Sequence, residues 1–285
     1  MHESALSSFQ LQDGQLLHFL RRSESSGIPV ILLHGLSQQA NYWDLVVRES
    51  DFDFVALDQR CHGYSQQFTE DSDVSVERIA DDVVELLDQL DISRAHVVGH
   101  SWGASVALSF ARRYSARAAS CTMIDGGAFN PRDLIPEVVP DRETLLTLLT
   151  PPEGPFPSEM LNQHYRVLND QDGDAIMGAV DRTYRRIGHD TYESVIGLSR
   201  HMEVLQGLID FDHVADIQSL SVPSWVVLCE SHDEWQSAKS SGMPLLLNNP
   251  NIHVQRWYGC THDVPLQDPK KVAGLISYVV GAAND

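Results

Sequence analysis

Short apolar runs alternate with amphipathic stretches along the first 127 residues. Val30–Leu33 is an uninterrupted apolar run, which is typical of a central strand covered on both faces, and residues 95–98 form a short apolar run that contains His96. Apolar residues recur at helical spacing from Ile79 to Leu90, and Ser75 precedes them as a candidate N-cap. Strands that alternate with helices predict a mostly parallel sheet with right-handed crossovers.

Both ends of the chain fit the same architecture. Asp13-Gly14 separates two semi-alternating runs and predicts a β-hairpin. A final helix is predicted from Pro269 to about Val280. Further strands are predicted over residues 52–57, 119–124, 223–229 and 252–258.

The alternation stops after Ala128 and resumes at Pro223. The pattern between them predicts amphipathic helices and loops, and prolines interrupt the first third of this stretch. We predict helices over residues 160–168, 175–186 and 192–208. The chain is therefore divided into an α/β core, residues 1–127 and 220–285, and an inserted helical cap, residues 128–219, over the C-terminal edge of the sheet.

The composition is that of a globular protein, with 42% hydrophobic and 21% charged residues. No run approaches the ~18 apolar residues of a membrane span. The first residues lack the basic and apolar segments of an export signal. The four cysteines form no C-x-x-C pair, which favours reduced thiols. We therefore expect a cytoplasmic protein with no membrane partner.

The formal net charge of −20 argues against a nucleic-acid partner, because phosphate binding requires a basic surface. No histidines or acidic residues show a zinc-ligand spacing, so no metal is predicted. No G-x-G-x-x-G follows the first core strand, so no dinucleotide cofactor is predicted. A small-molecule substrate remains, and no pattern indicates the oligomeric state.

One motif stands between a predicted strand and a predicted helix. Gly99-His100-Ser101-Trp102-Gly103 fits G-x-S-x-G, the pattern of a nucleophile elbow. In such an elbow the serine lies on a sharp turn, and the glycines let the strand and helix approach closely. The alternative interpretation is a serine that only caps a helix after a buried strand.

The motif belongs to a set that resembles cap-bearing members of the α/β-hydrolase superfamily, over roughly residues 25–127 and 220–282. The resemblance implies an α/β-hydrolase fold: a mostly parallel, doubly covered sheet with an inserted helical cap. The matching motifs are His34-Gly35, residues 58–65, the elbow, Glu230-Ser231-His232-Asp233 and His262-Asp263-Val264-Pro265.

The resemblance implies a Ser–His–acid triad. Ser101 is the expected nucleophile and His262 the base that accepts its proton. Asp233, just beyond the second-last strand, is the preferred acid. Asp125, at the end of the strand after the elbow, is the alternative, because some members carry the acid there. Glu230 stands where the family usually has glycine, which keeps that alternative open.

The oxyanion hole is expected to use two backbone N–H groups. These belong to Trp102, which follows the nucleophile, and to Leu36, which follows His34-Gly35. Both side chains are also candidates to shape the substrate pocket.

The leading hypothesis is a cofactor-independent serine hydrolase that cleaves an ester, lactone or similar activated carbonyl of a small molecule through an acyl-Ser101 intermediate. Three alternatives remain open. One is a carbon–carbon bond hydrolase, and another is a ligand receptor built on a hydrolase scaffold. The third is a cofactor-free ring-cleaving dioxygenase, which resembles this chain in having its acid at the Asp125 position.

Overall fold

The computed structural model describes residues 5–24, 27–65, 72–130, 141–166, 168, 173–180, 182–230 and 236–282. Within these ranges the strands are β1 (Ala5–Gln10), β2 (Leu16–Arg22), β3 (Val30–Leu33), β4 (Phe54–Asp58), β5 (Ala95–His100), β6 (Ala118–Ile124), β7 (Phe156–Pro157), β8 (Tyr184–Arg186), β9 (Thr191–Ser194), β10 (Ser224–Glu230) and β11 (Ile252–Tyr258).

The helices lie between these strands and after the last of them. They are α1 (Asp44–Arg48), α2 (Val76–Gln89), α3 (Trp102–Arg113), α4 (Arg142–Leu149), α5 (Ser158–Arg166), α6 (Gly173–Val180), α7 (Leu198–Asp210), α8 (His213–Ser219), α9 (Gln236–Asn248), α10 (Val264–Gln267) and α11 (Pro269–Ala282). No helix in the described ranges is long and apolar enough to cross a membrane.

Eight strands form one sheet in the order β1-β2-β4-β3-β5-β6-β10-β11. The six strands from β4 to β11 in this order pair in parallel, while β1 and β2 are antiparallel additions. The predicted mostly parallel sheet and the predicted N-terminal hairpin are therefore confirmed. In a parallel sheet the carboxyl ends of the strands share one edge, and ligand sites form there.

The apolar run of β3 explains why this sheet is covered on both faces. Successive side chains of a strand point to opposite faces. Ile31 and Leu33 join a cluster that includes side chains of α2 and α3. Val30 and Leu32 join a second cluster with side chains of α1 and α11. A continuous apolar run therefore fits a central strand better than an alternating one.

The N-cap predicted for α2 is present. The Ser75 side chain accepts a hydrogen bond from the Arg78 N–H at 3.2 Å. One stripe of the helix, including Ile79 and Leu86, is fully buried. The spacing of apolar residues and the capping serine together set where this helix begins and which face it buries.

Two of the helices predicted between Ala128 and Pro223 are partly wrong. The helix over residues 175–186 ends at Val180, because Tyr184–Arg186 forms β8 and pairs antiparallel with β9. The helix over residues 192–208 begins only at Leu198, after Gly197, whose φ is +70°. The strands β7, β8 and β9 form a separate three-stranded sheet.

The segment between β6 and β10 packs on the core in two ways. Helices α4 and α7 contribute Leu149, Leu205 and Leu208 to a cavity at the C-terminal edge of the sheet. Helix α8 packs directly on α3 of the core. The cap boundaries at residues 128 and 219 stay a prediction.

Candidate active site

The elbow motif forms a sharp turn between β5 and α3. Ser101 has φ 54° and ψ −122°, a conformation that an L-residue adopts only where surrounding structure imposes it. Its N–H donates to the Ile124 carbonyl oxygen at 2.9 Å. The turn projects the serine side chain from the C-terminal edge of the sheet, between β5 and β6.

The glycines of the motif are required by close backbone contacts. A Cβ on Gly99 would overlap the Gly103 carbonyl group, and one on Gly103 would overlap the Leu33 carbonyl group. A Cβ on Gly126, in the loop after β6, would overlap the backbone of Ser101 itself. These contacts give a physical reason for the G-x-S-x-G spacing.

The loop after β11 brings His262 to Ser101. His262 Nε2 lies 2.9 Å from Ser101 Oγ, and His262 Nδ1 lies 2.7 Å from Asp125 Oδ2. The imidazole side chain is 51% exposed and Asp125 only 1%. The buried carboxylate accepts a hydrogen bond from Nδ1–H. Nε2 is then unprotonated and can accept the serine proton.

Three neighbours hold the Asp125 carboxylate. It follows β6 with a φ of 47° and accepts the Cys229 N–H at 2.9 Å and the Lys239 ammonium at 3.0 Å through Oδ1. Burial favours the neutral acid, but the bonds from His262, Lys239 and Cys229 outweigh it and lower the carboxyl pKa. Asp125 is therefore ionised at neutral pH.

The preferred acid of the sequence analysis, Asp233, stays a prediction. Asp233 lies outside the described residues, and the Nδ1 atom of His262 that such an acid would contact bonds instead to Asp125. Both aspartates follow core strands, so the strand pattern alone did not separate them. The alternative acid is the one that the structure brings to the histidine.

Lys239 lies at the site although no sequence pattern pointed to it. Its side chain lies on α9, is 2% exposed, lines the cavity and also donates to the Cys229 carbonyl oxygen at 2.7 Å. Lysines are almost never fully buried unless they are paired. This one forms an ion pair with Asp125.

Opposing influences set the basicity of His262. Removal of water by the surrounding atoms lowers its pKa, as does the Lys239 charge, whereas the Asp125 hydrogen bond and charge, with Asp263, raise it. The net pKa is above the ordinary value for histidine. A raised pKa strengthens the imidazole as a proton acceptor.

Hydrogen bonds from the side chains of Tyr42, Gln38 and His100 hold the loop that carries His262. Asp263 Oδ1 accepts the Tyr42 hydroxyl at 2.8 Å and the Gln38 amide at 3.2 Å. His100 Nε2 donates to the His262 carbonyl oxygen at 2.8 Å, and its ring stacks on Tyr42. Burial, followed by the His262 charge, lowers the pKa of His100 to about 4, so it is a neutral support.

Leu36 and Trp102 both line the cavity beside Ser101. In the described ranges neither backbone N–H has a carbonyl acceptor. Trp102 heads α3, where N–H groups of the first turn lack helical partners. Their role in an oxyanion hole stays a prediction.

The cavity has a volume of about 230 Å³. Its walls are mostly apolar, with polar groups at Ser101, Ser105 and His213. Such a mixture is typical of small-molecule sites. The apolar walls are Leu36, Trp102, Phe129, Leu149, Leu205 and Leu208.

The loop after β4 is structural. Asp58 accepts the Ala40 N–H at 2.7 Å and the Tyr64 N–H at 2.9 Å, and His62 accepts the Ser37 N–H at 3.0 Å. These bonds shape the loop that carries Leu36. Among the described residues, no group of three or more histidine, cysteine or acidic side chains could hold a metal ion.

Comparison with known proteins gives three results. Residues 28–174 match the family model of the alpha/beta hydrolase fold. The dihydrolipoyllysine-residue acetyltransferase component of an acetoin cleaving system from Pseudomonas putida is 33% identical over 113 residues, which are 39% of this chain and 30% of that protein. A protein of Caulobacter segnis assigned as a carbamate hydrolase is 24% identical over 89% of this chain and 91% of that protein.

Among solved structures, E-2-(acetamidomethylene)succinate hydrolase superimposes with a TM-score of 0.78 at 20% identity, over 98% of this chain and 100% of that chain. This likeness shows the fold. The alignment with the Pseudomonas putida relative spans 30% of that protein, and an alignment with a protein of Mycobacterium phage D29 assigned as a non-heme haloperoxidase, 35% identical over 106 residues, spans 37% of that one.

Proposed function

The chain belongs to the alpha/beta hydrolase family, and from that premise we propose that it is a serine hydrolase of esters, lactones or similar activated carbonyls. The observation that carries this proposal is the chain of hydrogen bonds from Ser101 through His262 to Asp125, with both bonds below 3 Å. Family membership supports the hydrolase class, and the cavity supports a small-molecule substrate.

In the proposed reaction His262 Nε2 takes the Ser101 hydroxyl proton while Oγ attacks the substrate carbonyl carbon. The carbonyl electron pair moves to oxygen, which the N–H groups of Leu36 and Trp102 stabilise. The tetrahedral intermediate collapses, and His262 returns the proton to the leaving oxygen. Water, deprotonated by the same nitrogen, then attacks the acyl carbon, and His262 returns that proton to Ser101 Oγ as the bond between Oγ and the acyl group breaks and the acid leaves.

Asp125 has two roles in this proposal. Its hydrogen bond to Nδ1 fixes the tautomer that leaves Nε2 unprotonated, and its charge stabilises the imidazolium formed during attack. Lys239 positions the carboxylate through contacts of its ammonium with Oδ1 at 3.0 Å and Oδ2 at 3.3 Å.

A fluorophosphonate probe and p-nitrophenyl esters test the proposal. We expect the probe to label Ser101 and Ser101→Ala to abolish labelling and to lower kcat by about 10⁶-fold. Ser109→Ala, a buried serine two turns further along α3 that does not line the cavity, is the matched control. Ester turnover that survives in Ser101→Ala would refute the nucleophile.

A second candidate is a cofactor-free ring-cleaving dioxygenase. The specific observation in its favour is that His262 bonds to Asp125, since those enzymes resemble this chain in the position of the acid. There the His–Asp pair deprotonates a heteroaromatic substrate and the serine is not acylated. Oxygen uptake with a hydroxyquinolone that persists in Ser101→Ala would favour this candidate.

A further inference from the structure

A second serine–histidine pair lies in the wall of the cavity. Ser105 lies in the first turn of α3, four residues after Ser101, which precedes the helix, and both serines line the cavity. His213 is the first residue of α8. Ser105 and His213 both line the cavity, both are 1% exposed, and Ser105 Oγ lies 2.8 Å from His213 Nε2.

This pair is electrically neutral at physiological pH. Burial lowers the pKa of His213 to about 4, and the nearby Phe211 backbone and the Asp212 charge offset only part of that effect. A neutral imidazole carries one N–H and one acceptor nitrogen. With the Ser105 hydroxyl, the pair therefore owns two hydrogen-bond donors.

The protein uses only one of these donors. The Ser105–His213 bond consumes either the O–H or the Nε2–H. His213 Nδ1 is buried and has no partner among the described residues, and the hydrogen bonds of those residues give Ser105 Oγ no acceptor besides His213. In the tautomer that carries the proton on Nε2, this N–H donates to Ser105 Oγ and leaves the rotatable Ser105 O–H beside the cavity, and a ligand oxygen that accepts from this O–H selects that tautomer. A buried donor without an acceptor carries a desolvation penalty that an acceptor in the ligand would remove.

We propose that Ser105 and His213 form a subsite that donates a hydrogen bond to an uncharged oxygen of the substrate, one helical turn from the carbonyl that Ser101 attacks. The ligand class is an apolar ester or lactone that carries a ketone, ether or second ester oxygen at that distance. The subsite relies on the proposed function only to place the reacting carbonyl at Ser101.

The charges around the cavity favour an uncharged oxygen over a carboxylate. Lys239 is the one lysine or arginine among the described lining residues, and its ammonium contacts Asp125 and the Cys229 carbonyl oxygen. The walls next to the pair are apolar, including Leu205 and Leu208. A carboxylate would lose its hydration there without gaining a counter-charge.

Calorimetry on the Ser101→Ala protein measures this subsite without turnover. The ligands are methyl 5-oxohexanoate, whose ketone lies about one helical pitch (~5.4 Å) from the ester carbonyl, and methyl hexanoate, which lacks it. We expect the keto ester to bind about tenfold more tightly. In Ser101→Ala/Ser105→Ala that preference should disappear, while in Ser101→Ala/Ser109→Ala it should remain.

Equal affinity for the two esters, or a preference that survives removal of the Ser105 hydroxyl, would overturn the subsite. Should the alanine variant fail to fold, Ser105→Cys keeps the volume with a weak donor and should lose most of the preference. Turnover by the unaltered protein separates the two proposals. Equal binding with ester hydrolysis rejects the subsite alone, whereas a keto preference without hydrolysis rejects the hydrolase alone.

Discussion

The sheet core around Ser101 and the segment between β6 and β10, called the insert below, differ in how deeply their strands are buried. Every residue of β5 and β6 is buried, whereas every residue of β9 is partly exposed. The groups of the proposed reaction lie on core loops that backbone contacts fix. Several apolar walls of the cavity come from α4 and α7 of the insert. The groups of the proposed reaction and several walls of the cavity therefore lie on parts of the chain that differ in burial.

Among the variants that compare these two regions, the largest effect should come from Asp125 in the core. Asp125→Asn keeps the shape of the side chain but removes the charge and the control of the His262 tautomer, so we expect kcat to fall by about 10⁴-fold. Initial rates with a p-nitrophenyl ester measure this loss. Asp233→Asn is the matched control, and a larger loss in that variant would show that the acid is Asp233.

Two glycine substitutions compare how closely other atoms pack around the backbone at the elbow and in the insert. Gly99→Ala places a methyl group against the Gly103 carbonyl, so we expect it to lower the free energy of unfolding by more than about 3 kcal/mol. Gly178 in α6 has nothing within 4 Å of an added Cβ. Gly178→Ala should therefore raise that free energy by roughly 0.5–1 kcal/mol.

Urea unfolding followed by circular dichroism measures both glycine variants. Opposite signs would support a tightly constrained elbow and a permissive insert. A Gly99→Ala protein as stable as the parent would contradict the close contact between β5 and α3.

Lys239→Met should shift the pH dependence of activity. The base form of His262 is required, so kcat/KM rises with pH through the pKa of this histidine. The Lys239 charge lowers that pKa, and its removal should move the rising limb to higher pH. We also expect kcat to fall about tenfold, because Asp125 loses a charged hydrogen-bond donor.

A pH–rate profile measures the shift, and Lys270→Met, which removes an exposed lysine on α11, is the control. A limb that stays in place in Lys239→Met would mean that this ammonium only stabilises the fold. A shift in both variants would indicate an effect of net charge rather than of the buried pair.

Local patterns predicted the core well, because its strands are short apolar runs with helices between them. The motif at Ser101 and the position of His262 after β11 could also be predicted, since each depends on its neighbours in sequence. The choice between Asp125 and Asp233 was not, because it depends on which of two loops reaches the imidazole. Lys239 could not be found, since burial of a lysine is decided by partners far away in sequence.

The insert was harder for a related reason. Tyr184–Arg186 lies in a stretch with helical spacing, yet the backbone of β8 pairs with β9. Short amphipathic segments do not distinguish the two periods reliably, so pairing with a neighbour decides. Gly197 has a positive φ and precedes α7, so this helix begins later than the predicted residue 192.

Ser101 and His262 are 161 positions apart and meet only when both halves of the sheet are assembled. If the chain were cut within residues 131–140, each fragment would carry one partner of that hydrogen bond. Labelling of the serine by a fluorescent phosphonate would then report the reunion of the fragments, which makes this geometry suitable as a split reporter of protein association.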